Sequence, residues 1–76
     1  MKKEVVVIPR TGLDHGTSGL IFKVPNLPEI FLPDYKVRLL KETYLGKKTK
    51  FNMEKHQYVV IVVDNEIVDI KIEEVK

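Results

Sequence analysis

The sequence contains no cysteine and only two histidines in its 76 residues. The absence of cysteine excludes disulfide bonds and thiolate zinc sites. His15 and His56 are far apart in the sequence and offer little for a structural metal, so we expect neither a metal nor a cofactor. A domain of this length buries only ~60% of the surface that its unfolded chain exposes. Because disulfide bonds and metal sites are missing, we expect formation of a homodimer to supply the remaining stability.

Long hydrophobic segments are also missing. No apolar run approaches the ~20 residues of a membrane-spanning helix. The N-terminal residues MKKEVVVIPR include two lysines, but the apolar run stops at Pro9 and no small-residue cleavage site follows. We therefore expect one small domain over residues 1–76, located in the cytoplasm, without a membrane partner.

The formal net charge of +2 is mild, but the charges are unevenly distributed. The stretch from Lys36 to Lys50 holds six cations and one acid, a net of +5. The stretch from Asp64 to Lys76 holds five acids and two cations, a net of −3. A basic middle with an acidic end can form a surface that faces phosphates, but a charge run is more often a solvated face, here a lysine-rich hairpin.

Four segments rich in β-branched residues predict β-strands. They are Glu4–Ile8, Leu20–Val24, Tyr58–Val63 and Glu66–Glu73. In the second segment Leu20, Phe22 and Val24 share one face, and Ile21 and Lys23 share the other. The pattern predicts a mainly β fold, a small β-barrel with at most one short helix.

The last two strands are joined by Asp64-Asn65, which is typical of a two-residue turn. Such a turn pairs Val63 with Glu66, Ile61 with Val68 and Val59 with Ile70, and these residues would form the buried face. The residues left on the opposite, wet face are Val60, Val62 and Ile67. A second apolar face in so small a chain indicates a partner subunit, or alternatively a barrel edge that folds back over it.

The remaining segments are harder to assign. Arg10–Gly19 is rich in glycine and predicts a loop. Pro25–Asp34 contains three prolines, which leave room for one helical turn at Leu27–Leu32 with Asn26 as its N-cap.

The segment Tyr35–Glu42 alternates like a strand, which we favour. Its apolar spacing also fits a helix between Asp34 and Gly46. Gly46-Lys47 then predicts a hairpin turn, and Lys48–Met53 the returning strand.

Residues 14–18, Asp-His-Gly-Thr-Ser, include the residue types of a nucleophilic triad. A triad needs three side chains converging on one point, whereas neighbours such as Asp14 and His15 point apart. No Gly-Lys-Ser/Thr sequence ends the glycine-rich segment, so a nucleotide cradle is not indicated. We expect no enzymatic activity.

The same segment suits contact with nucleic acid. Backbone N–H groups, the hydroxyls of Thr17 and Ser18, His15, and the flanking Arg10 and Lys23 are groups that contact phosphates and groove edges. An ordinary glycine-rich connection is the alternative. A secondary basic face would consist of Lys47, Lys48 and Lys50.

Five stretches of the sequence resemble the SpoVT/AbrB-like swapped-hairpin family, which includes transition-state regulators and MazE-like antitoxins. They are Arg10–Gly12, Gly16–Pro25 with its Val-Pro end, the short helix position Leu27–Leu32, Pro33–Val37, and Asp64–Val68. The resemblance implies a dimer in which two chains interleave their hairpins, and a transcriptional regulator or antitoxin-like protein that contacts DNA through the first hairpin. Arg10 and Lys23 would then touch DNA, with His15, Thr17 and Ser18 in support.

A different class remains open: a monomeric barrel of the Sm/KOW kind that binds RNA or a protein partner. In that alternative the Lys47–Lys50 hairpin, with Tyr44 and Phe51, would form the contact face by electrostatics and stacking.

Overall fold

The computed structural model describes residues 1–75 and shows two antiparallel sheets joined by one helix. In chain order the elements are β1 (Lys2–Val7), β2 (Arg10–Asp14), β3 (Thr17–Phe22), β4 (Ile30–Pro33), α1 (Asp34–Leu45), β5 (His56–Val63) and β6 (Glu66–Glu74). Sheet A has the order β1-β5-β6, and sheet B has the order β2-β3-β4. The mainly β class with one short helix is confirmed, but the strands of residues 1–75 form two small sheets and no closed barrel.

The two sheets share one core, and Phe22 lies at its centre with no exposed surface. Its ring meets Tyr58 of sheet A edge to face, with ring centroids 5.3 Å apart. Val24 is buried beside Phe22, and Leu20 packs against the same cluster. The predicted apolar face of the second strand is therefore confirmed.

The β5–β6 hairpin has the predicted turn but not the predicted register. Asp64 and Asn65 both have positive φ, 51° and 64°, and Val63 pairs with Glu66 as expected. A β-bulge then shifts the pairing between Ile61 and Val62, so that Ile61 pairs with Asp69 and not with Val68. Because side chains alternate along a strand, one extra residue exchanges the two faces of β6 relative to β5.

The prediction that Val60 and Val62 face solvent was wrong, whereas the predicted burial of Val59 and Ile61 is confirmed. Tyr58, Val60 and Val62 face the core, where Ile70 and Ile72 join them. These β5 residues belong to the face that the sequence pattern had assigned to solvent.

The opposite face of β5 is also buried within the single chain. Val59 is 1% exposed and Ile61 is 7% exposed. Lys71 on β6 reaches across β5 to Glu4 on β1, with 3.2 Å between the amine and the carboxylate. This ion pair crosses the strand beside Val59 and Ile61, since Val59 pairs with Lys71 and Ile61 pairs with Glu4. The aliphatic stem of the lysine thus covers apolar surface while its charge stays in water.

Residues 34–45 form a helix, and the prediction of a strand at Tyr35–Glu42 was wrong. Val37 is buried, and Leu40 and Leu45 pack against the core. Gly46 ends the helix at φ 83°, and its N–H donates to the carbonyl of Glu42. The helical spacing prevails because α1 packs against β3, β4 and β6, which local alternation does not report.

Three further local predictions were wrong. The loop predicted over residues 10–19 contains β2 and the start of β3, and the helical turn predicted over residues 27–32 is replaced by β4. Pro33 is tolerated in β4 because this strand lies at a sheet edge. The hairpin predicted around Gly46-Lys47 is absent, since Gly46 caps α1 and residues 48–53 form no strand.

Among residues 1–75, no helix is both long enough and apolar enough to cross a membrane.

Gly19 and Gly12 offer a matched pair of substitutions. A Cβ at Gly19 would collide with backbone atoms of β4, the Leu32 carbonyl oxygen and the Pro33 Cα. A Cβ at Gly12 would meet only the end of the flexible Ile21 side chain. We expect Gly19→Ala to lower the free energy of unfolding by about 2–3 kcal/mol and Gly12→Ala by no more than about 1 kcal/mol. Urea denaturation measures both, and equal losses would contradict the close packing of β3 on β4.

The Glu4–Lys71 pair predicts a loss of stability at alkaline pH. In the folded state the hydrogen bond to Glu4 raises the pKa of Lys71 above its ordinary value of 10.5. The contribution of this ion pair to stability is therefore complete below about pH 10.5 and is lost as pH rises through the folded-state pKa. Burial raises the pKa of the Tyr58 phenol, which acts in the same direction. We expect the free energy of unfolding to fall as pH rises above about 10, and to fall less steeply in Lys71→Met.

Lys47→Met is the control for this measurement, because Lys47 is exposed and forms no ion pair within residues 1–75. Parallel pH profiles for the wild type and Lys71→Met would contradict the role of the ion pair.

Candidate nucleic-acid interface

The strands β2 and β3 form a two-stranded hairpin whose far half stands clear of the core. Residues 13–18 are all exposed. Asp14 pairs with Thr17, and the turn between them consists of His15 and Gly16, both with positive φ at 51° and 81°. We call residues 10–22 the arm. It is a regular β-ribbon, whereas the sequence predicted a loop here.

The pairing register assigns the candidate contact residues to faces of the arm. Directly paired residues share a face, so Arg10 shares the face of its partner Ile21. Thr17 lies four residues before Ile21 on the same strand, and because side chains alternate, it lies on that face too. Ser18 pairs with Leu13 and lies on the opposite face. His15 occupies the turn. The structure thus brings Arg10 and Thr17 to one surface and separates Ser18 from them.

The face with Arg10 is the outer face of sheet B, and neighbouring side chains cover its centre. Gly12 pairs with Gly19 there, and neither contributes a side chain. Ile21 lies over Gly12, and the ring of Phe31 on β4 lies over Gly19. Phe31 was not among the predicted site residues. In the sequence, the short apolar run Ile30–Leu32, which lies between Pro28 and Pro33, could have predicted an edge strand that carries Phe31.

Both predicted DNA-contacting cations lie at the base of the arm and have partners within the chain. Arg10 forms an ion pair with Glu29, with 2.9 Å between nitrogen and oxygen. Lys23 lies two residues beyond Ile21, the pairing partner of Arg10. The Lys23 amine donates a hydrogen bond to the Leu27 carbonyl oxygen. All of these charged side chains are exposed, so the contacts are weak and can exchange for contacts to a phosphate.

The tip of the arm places a carboxylate beside an imidazole. The Asp14 carboxylate lies 3.6 Å from Nε2 of His15, and both side chains are exposed. An exposed Asp-His pair at a turn lacks the enclosed, converging geometry of a catalytic triad. Hydrogen bonding to phosphate oxygens or base edges is the chemistry that this arrangement can supply.

The second basic region follows helix α1. Lys47, Lys48 and Lys50 are exposed, in a segment without strand structure. Phe51, predicted to stack on bases, instead stacks on Tyr58 inside the protein, with ring centroids 4.5 Å apart. His56 is buried, and its Nδ1 accepts a hydrogen bond from the Asn52 N–H at 2.9 Å.

No family model matches this chain, and no curated protein or solved structure matches it significantly.

Proposed function

We propose that this chain is a homodimeric DNA-binding protein, acting as a transcriptional regulator or antitoxin-like protein, and that its arm contacts the duplex. The observation that carries the proposal is the two-stranded ribbon, exposed over residues 13–18, with Arg10 and Thr17 on one face. The resemblance of residues 10–25 to the first hairpin of the SpoVT/AbrB-like family supports the same function.

A two-stranded ribbon matches the width of the major groove of B-DNA. Ile21 and the Phe31 ring lie over the glycine pair, so the exposed far half of the ribbon, residues 13–18, is the part that would enter the groove. Arg10 and Lys23 would bind phosphates or base edges at the base of the ribbon, and the Thr17 hydroxyl would do so nearer its tip. His15 at the turn would reach furthest from the core.

One arm supplies only two cations, and two phosphate contacts give weak binding at physiological salt. Two arms related by a twofold axis would double the number of phosphates contacted, which supports the dimer.

A titration of duplex DNA at several salt concentrations tests the proposal. Four phosphate contacts, from Arg10 and Lys23 in two subunits, predict a slope of log K against log salt of about −3.6, since each contact contributes about −0.9. In the variant with Arg10→Ala and Lys23→Ala we expect most of this slope and most of the affinity to disappear. A slope of about −1.8, the value for two phosphate contacts, would contradict the dimer but still support DNA binding by a single arm.

The matched control removes two cations from sheet A, by Lys2→Ala and Lys3→Ala. This variant has the same net charge as the arm variant. Equal affinity of the wild type and the arm variant, or an equal loss in both double variants, would overturn the assignment of the arm.

Glu29 provides a second test, because its carboxylate competes with phosphate for Arg10. We expect Glu29→Gln to raise the affinity for duplex DNA about two- to fivefold, the range of an exposed ion pair. Glu66→Gln, at the exposed β5–β6 turn, removes the same charge away from Arg10. An equal gain in both variants would show that net charge alone is responsible and would contradict a specific contact by Arg10.

A further inference from the structure

A groove opens where the two sheets and the helix meet. Its volume is about 360 Å³, within the range of small-molecule sites. We call it the junction groove. Sheet A contributes Val7 and Tyr58 to its lining, sheet B contributes Leu20, and helix α1 contributes Lys41. Recesses between packed elements are the usual location of small-molecule sites.

Most of the junction groove is apolar. Phe51 lines it and stacks on Tyr58, with ring centroids 4.5 Å apart. Ile8 and Met53 also line it, and they are 80% and 73% exposed. An apolar molecule in the groove would remove both side chains from water, which is favourable.

Contacts within the chain hold the groove in shape. The ring centroid of Phe51 lies 5.7 Å from that of His56. The Nδ1 atom of His56 accepts a hydrogen bond from the Asn52 N–H, and the backbone N–H of His56 donates to the Asn52 carbonyl oxygen. These bonds fix the segment before β5 against the sheet. A preformed site reduces the ordering cost of binding.

Lys41 supplies a cation to the groove, and no acidic side chain accompanies it. Lys41 is partly buried, and its amine lies 5.9 Å from the centroid of the Phe51 ring. It forms no ion pair within residues 1–75, and no aspartate or glutamate lines the groove. Because partial burial reduces screening by water, an anion beside this amine is attracted more strongly than on an open surface.

The Tyr58 hydroxyl adds a neutral hydrogen-bond donor. Tyr58 is 5% exposed, and no hydrogen bond joins its hydroxyl to another group of residues 1–75. Every fully buried side-chain nitrogen or oxygen of these residues has a partner, so this hydroxyl keeps contact with solvent through the groove that Tyr58 lines. Burial raises the pKa of the phenol, which keeps the hydroxyl protonated.

We propose that the junction groove binds a small monocarboxylate with an apolar body, aliphatic or aromatic. The carboxylate pairs with the Lys41 amine, and the Tyr58 hydroxyl is a donor in the same groove. The apolar body packs against Phe51, Ile8 and Met53. Charge complementarity selects this class of ligand, because an amine would meet Lys41 without an acid to bind it, and a hydrocarbon would leave Lys41 unpaired.

This site is independent of DNA binding by the arm, so either proposal can fail alone. The test is an NMR titration of the full chain at neutral pH with octanoate and with phenylacetate, each matched by its alcohol, octanol and phenethyl alcohol. We expect saturable shifts of the Phe51, Met53 and His56 resonances. Each alcohol should bind about tenfold more weakly than its acid, the value of a hydrogen bond to a charged group. The tighter of the two carboxylates identifies the body as aliphatic or aromatic.

Substitution in the groove supplies the second measurement. Lys41→Met removes the charge and keeps an apolar stem, so it should weaken octanoate about tenfold and leave octanol within about twofold. Tyr58→Phe keeps the ring and should weaken octanoate about threefold through the lost donor. Lys47→Met is the control, since Lys47 is exposed and does not line the groove. Circular dichroism of each variant establishes that the fold is retained.

Three results would overturn the proposal. The first is the absence of saturable shifts with both carboxylates. The second is equal affinity for each acid and its alcohol in the wild type, which would reduce the groove to a nonspecific apolar recess. The third is an equal loss of octanoate binding in Lys41→Met and Lys47→Met, which would make net charge alone responsible.

Discussion

The contact between Phe22 of sheet B and Tyr58 of sheet A determines how the rest of the molecule is arranged. Each sheet has only three strands, and neither could bury its apolar face alone. Full burial of one phenylalanine contributes about 1.5–3 kcal/mol, a large share of the stability of a domain this small. Helix α1 closes the same core through Leu40 and Leu45, so all three layers depend on one cluster.

This shared core leaves two surfaces free, and they differ in character. The inner face of sheet B is committed to Phe22 and its neighbours, so its outer face and the arm remain available, with Arg10 and Thr17 on one face of the ribbon. In sheet A the Glu4–Lys71 pair crosses the outer face of β5, and within residues 1–75 the outer strands β1 and β6 each have one unpaired edge. Polar groups dominate the first surface, and exposed apolar side chains such as Ile8 dominate the second. A single small core therefore leaves two separate surfaces exposed.

The burial of Val59 and Ile61 changes the physical argument for a dimer. The sequence pattern shows two apolar faces on the fifth strand and suggests that a partner subunit covers one of them. In the structure one face meets the core, and the stem of Lys71 covers the other within the same chain. The case for a dimer now rests on the number of cations that one arm can offer to DNA.

Local sequence determined the strands built from β-branched residues, the Asp64-Asn65 turn, and the alternation that buries Phe22 and exposes Lys23, because each depends on neighbouring residues alone. It also identified Arg10 and Thr17 as polar groups close to a turn. Tertiary structure decided the helix at residues 34–45, the bulge opposite Ile61 and the position of Phe31 over Gly19. These features depend on packing between segments distant in sequence, and a one-residue bulge reverses every face beyond it. For that reason the sequence could name the residues of the arm, and only the fold could show which of them share a surface.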